Sequence, residues 1–160
     1  MECYFLRHGP AADPAQWPGD DYDRPLTRDG RKRIEREAET LASLGLEFDA
    51  IVTSPLVRAV QTAAIIADVL KISERLVEDK RLGFGFDLDA LETVLAERSG
   101  ANTILLVGHE PSMSSTVGAL IGDARIAFKK GALASVTLTG GASPPHGQLV
   151  WLIPPKFLLR

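Results

Sequence analysis

With 160 residues, of which 45% are hydrophobic and 24% charged, the chain has the size and make-up of one water-soluble domain covering 1–160. A net charge of −3 gives no electrostatic pull toward nucleic acid or an anionic membrane, and a single cysteine excludes an internal disulfide. No run approaches the ~18 apolar residues of a membrane helix and the N-terminus lacks a secretory-signal layout, so the expected location is the cytoplasm, with no membrane partner.

The first element is the apolar run Cys3–Leu6, a strand that stops abruptly at Arg7-His8-Gly9. Cys3 within it reads as a small buried hydrophobe rather than a reactive thiol. The polar stretch Asp13–Tyr22, with two prolines, is expected to loop over the mouth of a site beyond that strand, and Trp17 and Tyr22 could form a rim for a partner protein. In Arg28–Leu44 the apolar positions Ile34, Ala38, Leu41 and Leu44 recur at helical steps, with Thr27 as cap and Gly45 as stop. After the strand Ala50–Thr53, a second helix is expected to take Ser54 as N-cap and Pro55 in its first turn, turning Ala59, Ala63, Ile66 and Leu70 inward. A helix at Leu88–Arg98, a strand at Thr103–Val107 and a helix at Ser112–Ile121 follow. The last strands, Ala134–Leu138 and Leu149–Ile153, are separated by a Gly- and Pro-rich segment, Gly140–Gly147, too short for a crossover helix. The pattern predicts an α/β fold: a three-layer αβα sandwich whose mostly parallel central sheet ends in a C-terminal antiparallel edge hairpin.

Ligands of open α/β sheets bind beyond the carboxyl ends of the strands, and three such ends carry reactive groups here: Arg7-His8-Gly9, Ser54 with Arg58, and Gly108-His109-Glu110. His8 is the candidate nucleophile, able as a neutral imidazole to attack phosphorus and form a phosphohistidine. Arg7 and Arg58 suit the phosphoryl oxygens because a planar guanidinium binds two of them at once. His109 can donate to the same group, Ser54 can add a hydroxyl or amide contact, and Gly9 and Gly108 would let the backbone approach closely. Lys129 and Lys130 read as solvated residues at a strand start, and His146 falls in the hairpin loop with no assigned role. The three histidines offer no metal-ligand cluster, and no cofactor is expected. The conjunction points to a phosphatase that passes through a phosphohistidine.

These residues resemble the histidine phosphatase superfamily, the phosphoglycerate-mutase-like fold. Arg7-His8-Gly9 is similar to its Arg-His-Gly signature, and Ser54-Pro55-Leu56-Val57-Arg58-Ala59-Val60-Gln61-Thr62 to its Ser-Pro-x-x-Arg-x-x-x-Thr segment. His109 matches its second histidine, and Asp23-Arg24-Pro25-Leu26-Thr27-Arg28-Asp29-Gly30 its Pro-Leu-Thr-x-x-Gly helix start. Within the superfamily the chain looks most like the small bacterial phosphohistidine phosphatases of the SixA type. Pro10 and Ala11 after the signature, the segments Gly108–Ser114 and Lys130–Ala134, and the short stretch Ala59–Gly108 all point that way. Larger members carry in that stretch a helical insertion that closes over the substrate and supplies a carboxylate acid.

The resemblance implies a phosphohistidine-bearing protein, of a phosphorelay or a related system, as substrate. Phosphate esters normally need a proton donor for the departing alkoxide, whereas a protonated imidazole leaves readily. Asp79 and Glu110 are the candidate acids, each also readable as a structural charge. Two other readings stand beside this one: a small-molecule phosphomonoesterase on the same machinery, which would need one of those acids, and a non-catalytic module that binds a phospho-ligand.

Overall fold

A computed structural model describes residues 1–140 and 143–159; the loop expectation at Gly141 and Ala142 lies outside these residues. Six strands, β1 (Glu2–Arg7), β2 (Ala50–Thr53), β3 (Leu76–Glu78), β4 (Thr103–Gly108), β5 (Leu133–Leu138) and β6 (Gly147–Ile153), form one sheet in the order β3-β2-β4-β1-β5-β6. The pairs β1–β4, β2–β4 and β2–β3 are parallel, whereas β5 runs antiparallel to β1 and β6 antiparallel to β5. The expected edge hairpin is therefore present, grafted onto a parallel core.

Alternation along β1 assigns the two faces. Cys3 and Phe5 join Ile104, Leu106, Met113 and Val117 in one core layer, under α3 (Leu88–Ala96) and α4 (Ser112–Leu120). Tyr4 and Leu6 join Leu105, Ile34, Leu41, Ala63 and Ile66 in the other, under α1 (Arg28–Ser43) and α2 (Val57–Val69). Fully burying each such Leu, Ile or Phe contributes roughly 1.5–3 kcal/mol, so each layer is held by many modest terms. Cys3 is fully buried, and burial pushes its thiol up to about 12, which leaves it unreactive at neutral pH.

Thr27 caps α1 as its sequence suggests, its hydroxyl accepting from the Gly30 amide at 2.9 Å. The start of α2 differs from expectation. The helix begins at Val57 with Leu56 at the cap position and no side-chain cap bond. Ser54 is instead the last buried residue of the β2 end, its hydroxyl accepting from the Leu56 amide (3.2 Å) and meeting a histidine described below. Arg58 consequently lies in the first turn of α2. Leu70, expected to face inward, is the half-buried C-cap of that helix. β3 was not foreseen: three residues, two of them exposed, show no alternation to read. No helix among the described residues is long and apolar enough to cross a membrane.

Candidate active site

Beyond the C-terminal ends of β2, β4 and β1, three neighbours in the sheet, the chain sets Ser54, His109 and His8 side by side. The ladder fixes their register. Arg7 pairs with Gly108, the His8 amide donates to the Gly108 carbonyl at 3.0 Å, and the Ser54 amide to that of Val107 at 2.9 Å. β1 departs through α1 on one face and β4 through α4 on the other, so the two histidines flank the point where the connections diverge and a crevice opens.

Nδ1 of His8 lies 2.7 Å from the Gly9 carbonyl oxygen. A carbonyl only accepts, so Nδ1 carries the ring proton and Nε2 keeps its lone pair. Arg58 Nε donates to that Nε2 at 3.3 Å. Burial pulls the His8 pKa down to about 3, the Gly9 bond opposing and His109, Arg58 and Arg7 adding to the fall. His8 is therefore a neutral imidazole at physiological pH, its Nε2 lone pair accepting from Arg58 among the surrounding cations.

The His109 ring stands 5.1 Å from that of His8, centroid to centroid, and its Nε2 meets Ser54 Oγ at 2.7 Å. Ser54 Oγ also accepts from the Leu56 amide, and the tautomer in which its hydroxyl proton points to Nε2 places the His109 ring proton on Nδ1, where it can serve an anion. Burial, then Arg58, lowers the His109 pKa to about 4. Arg7 Nη1 donates to the Phe128 carbonyl at 2.7 Å. Among the described residues, the buried side-chain nitrogens without a hydrogen-bond partner in the protein are Arg7 Nε and His109 Nδ1. Buried donors are nearly always satisfied, so two orphans in one crevice beside two arginines mark a place built for an anion.

The loop preceding α1 reaches into this crevice, as its polarity and prolines suggest. Asp21 accepts from Arg58 twice, through its backbone carbonyl (2.7 Å, from Nη1) and its carboxylate (3.0 Å, from Nη2). Its other carboxylate oxygen takes Arg24 Nε at 2.7 Å, and Arg24 Nη1 holds the Ala12 carbonyl at 2.7 Å. Burial pushes the Asp21 carboxyl up, but the two guanidiniums outweigh it and hold it below the usual carboxylate range. Trp17 folds back on this loop, donating to the Asp20 carbonyl at 3.0 Å, while Tyr22 is exposed. Lys130 is exposed at the same end; partial burial and the fields of Arg7, Arg24 and Arg58 lower its pKa.

The remaining expected residues serve other ends. The Gly9 amide donates to Thr62 Oγ1 at 3.1 Å, and a Cβ at Gly9 would come within 2.6 Å of Ile34, so this glycine admits α1 and its amide is committed inside the protein rather than to a phosphate. Gly108 leaves room for the Met113 side chain. Asp79 binds Arg81 through both oxygens (2.9 and 2.6 Å), with Arg98 at 3.7 Å; the Arg81 bonds hold its carboxyl below the usual range. Glu110 accepts from the Ser114 amide (2.9 Å) and hydroxyl (2.7 Å) in the first turn of α4, and its charge reaches Arg7. His146 lies in the β5–β6 connection, at the opposite end of the sheet, where the neighbouring Leu138 amide bonds the Met1 carbonyl. Sequence reading passed over Arg24, Asp21 and Phe84. The ring of Phe84 stands 5.3 Å from that of His109, and Arg58 Cζ lies 5.8 Å from its centroid. The glycines flanking Phe84 were the one local hint.

Comparison with known proteins agrees with this layout. The family model of the histidine phosphatase superfamily (branch 1) matches residues 3–83. The chain is 30% identical to the phosphohistidine phosphatase SixA of Escherichia coli (strain K12), over 97% of this chain and 94% of that protein. A protein of Picosynechococcus sp. (strain PCC 7002) is 55% identical over 67 residues, and the match spans only 40% of that protein. The solved structure of the protein histidine phosphatase SixA complexed with tungstate superimposes with a TM-score of 0.87 at 28% identity, covering 99% of both chains. The alpha-ribazole phosphatase from Shigella flexneri shares the fold, with a TM-score of 0.74 at 17% identity over 97% of both chains.

Proposed function

The chain belongs to the histidine phosphatase superfamily, and from that premise we propose that it removes the phosphoryl group from phosphohistidine on a partner protein, by way of a phosphohistidine on His8. The observation that carries this reading is the pairing of a neutral His8 Nε2 lone pair with two buried nitrogens that have no partner in the protein, Arg7 Nε and His109 Nδ1. The residues 1–160 act as one histidine phosphatase domain. A phosphorelay or related phosphoprotein is the substrate and the cytoplasm its place, a reading that the single buried Cys3 supports.

In the first step His8 Nε2 attacks phosphorus in line as the bond from phosphorus to the substrate's imidazole nitrogen breaks. The departing ring takes the bond's electron pair and leaves as neutral imidazole from its protonated form. Arg7, Arg58 and His109 hold the equatorial oxygens, and their N–H groups stabilise the negative phosphoryl charge, the task that a metal ion performs in other phosphoryl-transfer sites. Water then attacks the phosphohistidine, releasing phosphate and restoring the His8 lone pair. Asp79 and Glu110 are each held in a structural bond set, which favours a substrate whose leaving group needs no acid from the protein. An ester substrate would need one.

The test is release of labelled phosphate from a histidine-phosphorylated phosphotransfer domain, run beside p-nitrophenyl phosphate. Wild type is expected to prefer the phosphoprotein and to carry acid-labile label on His8; His8→Ala should lose at least about 1000-fold on both substrates. Preference for the ester would move the chain to the small-molecule phosphomonoesterases. Phosphate binding without turnover of either would make it a binding module.

A further inference from the structure

Phe84 is 65% exposed although apolar neighbours on both sides of it are buried: Leu82 is 0% and Phe86 3% exposed. The chain thus has anchors in the α3/α4 core layer immediately before and after, and still displays the aromatic ring at the surface. An exposed Phe forgoes the burial that stabilises its neighbours, so its place needs another reason. The segment is shaped to hold it out. Gly83 donates to the Lys80 carbonyl at 3.1 Å, closing a turn. Gly85 adopts φ +85°, where a side chain would be strained, and its amide donates to Ser112 Oγ at 3.2 Å on α4. The ring that this brace presents touches the crevice on its reactive side, 5.3 Å from His109 and 5.8 Å from Arg58.

We propose that Phe84 is a specificity-determining residue that stacks on the imidazole ring of the substrate's phosphohistidine; the inference rests on the phosphohistidine reading above and deepens it. With the phosphoryl group on Arg7 Nε and His109 Nδ1, the group bonded to phosphorus projects from the crevice past the Phe84 ring. A flat heteroaromatic leaving group gains offset or edge contacts there. The protonated form, which is the one that departs readily, gains a cation–π attraction as well. A leaving group without a ring gains neither. Phe84 thereby selects among P–N bonds by what is attached to the nitrogen, a discrimination that the phosphate-holding residues cannot make.

The experiment compares two P–N substrates, N-phosphorylimidazole and phosphoramidate, whose leaving groups differ in the presence of a ring. Phe84→Ala, at an exposed position, should lower kcat/KM for phosphorylimidazole, and for a histidine-phosphorylated phosphotransfer domain, by roughly fivefold. It should change phosphoramidate cleavage by about twofold or less, and Phe84→Trp should restore the preference for the ring. Equal losses on both small substrates, or no loss on phosphorylimidazole, would overturn the role of Phe84 and leave the phosphohistidine reading standing. A wild-type protein that cleaves neither P–N bond would overturn both.

Discussion

Each side-chain nitrogen of Arg58 has a partner inside the protein: His8 for Nε, and Asp21 for both Nη atoms. An incoming phosphoryl group must therefore share Arg58 with the Asp21 carboxylate or push that carboxylate aside. Asp21 acts as an internal counter-ion, keeping Arg58 ordered while weakening its hold on phosphate, including the product. Asp21 is 45% exposed, which keeps the effect small. Asp21→Asn is expected to tighten inhibition by inorganic phosphate roughly threefold, measured as Ki against any cleavable substrate. Weaker inhibition would mean that ordering Arg58 outweighs competition for it. None of this was legible in the sequence. Arg7, His8, Arg58 and His109 stand out because each closes an apolar strand or opens the helix after it, where a reactive side chain has little structural purpose. Asp21 and Arg24 look like ordinary loop charges, since their meeting with Arg58 depends on the path of a turn that no local pattern specifies.

At the scale of elements, the site depends on how β1 is tied to α2. Thr62, fully buried, donates to the Arg58 carbonyl at 2.7 Å and accepts from the Gly9 amide at 3.1 Å, so one hydroxyl links the backbone beside His8 to the helix that carries Arg58. Thr62→Val keeps the shape and leaves the Gly9 amide buried without an acceptor, which costs about 1–3 kcal/mol. The expected outcome is a lower Tm and a fall in kcat, with Thr62→Ser retaining most of the rate because the hydroxyl remains. Equal rates for the Ser and Val proteins would show that the link does not govern the His8–Arg58 spacing. α1 is seated with similar closeness: a Cβ at Gly30 would collide with the Pro10 carbonyl. The strands, helices and edge hairpin were readable because apolar period and turn chemistry are local signals. The start of α2 was misread because Ser54, an ordinary N-cap by type, is held instead by His109 across the sheet. β3 was invisible because its pairing with β2 uses backbone groups that any sequence provides.

Across the whole molecule, the crevice makes folding sensitive to acid, and the sign follows from three buried groups. His8 and His109 are held neutral, with pKa values near 3 and 4 when folded against an ordinary value of about 6.5 when unfolded. Between these values the unfolded chain binds more protons, so the stability these two groups permit is complete above pH ~6.5 and is lost as the pH falls. The loss approaches at most ~1.4 kcal/mol per pH unit for each histidine. Glu37 works the other way. Buried beside the Gly131 turn, with Arg33 at 3.1 Å, its carboxyl is raised by burial to about 7, so its contribution is full below its ordinary value and fades as the pH rises through 7. Between pH 6.5 and 4.5 the two histidines outweigh the one carboxyl, and below 4.5 nothing from Glu37 offsets them further. Thermal unfolding followed from pH 8 to 4 should therefore give a Tm that holds near neutrality and then drops with growing steepness. His109→Gln should flatten the drop. Glu37→Gln should stabilise the protein at pH 8 and make the fall between pH 6.5 and 4.5 steeper. A Tm profile that neither variant reshapes would place the acid sensitivity in the carboxylates held by Arg81 and Arg24, and would mean that the neutral histidines cost the fold little to keep.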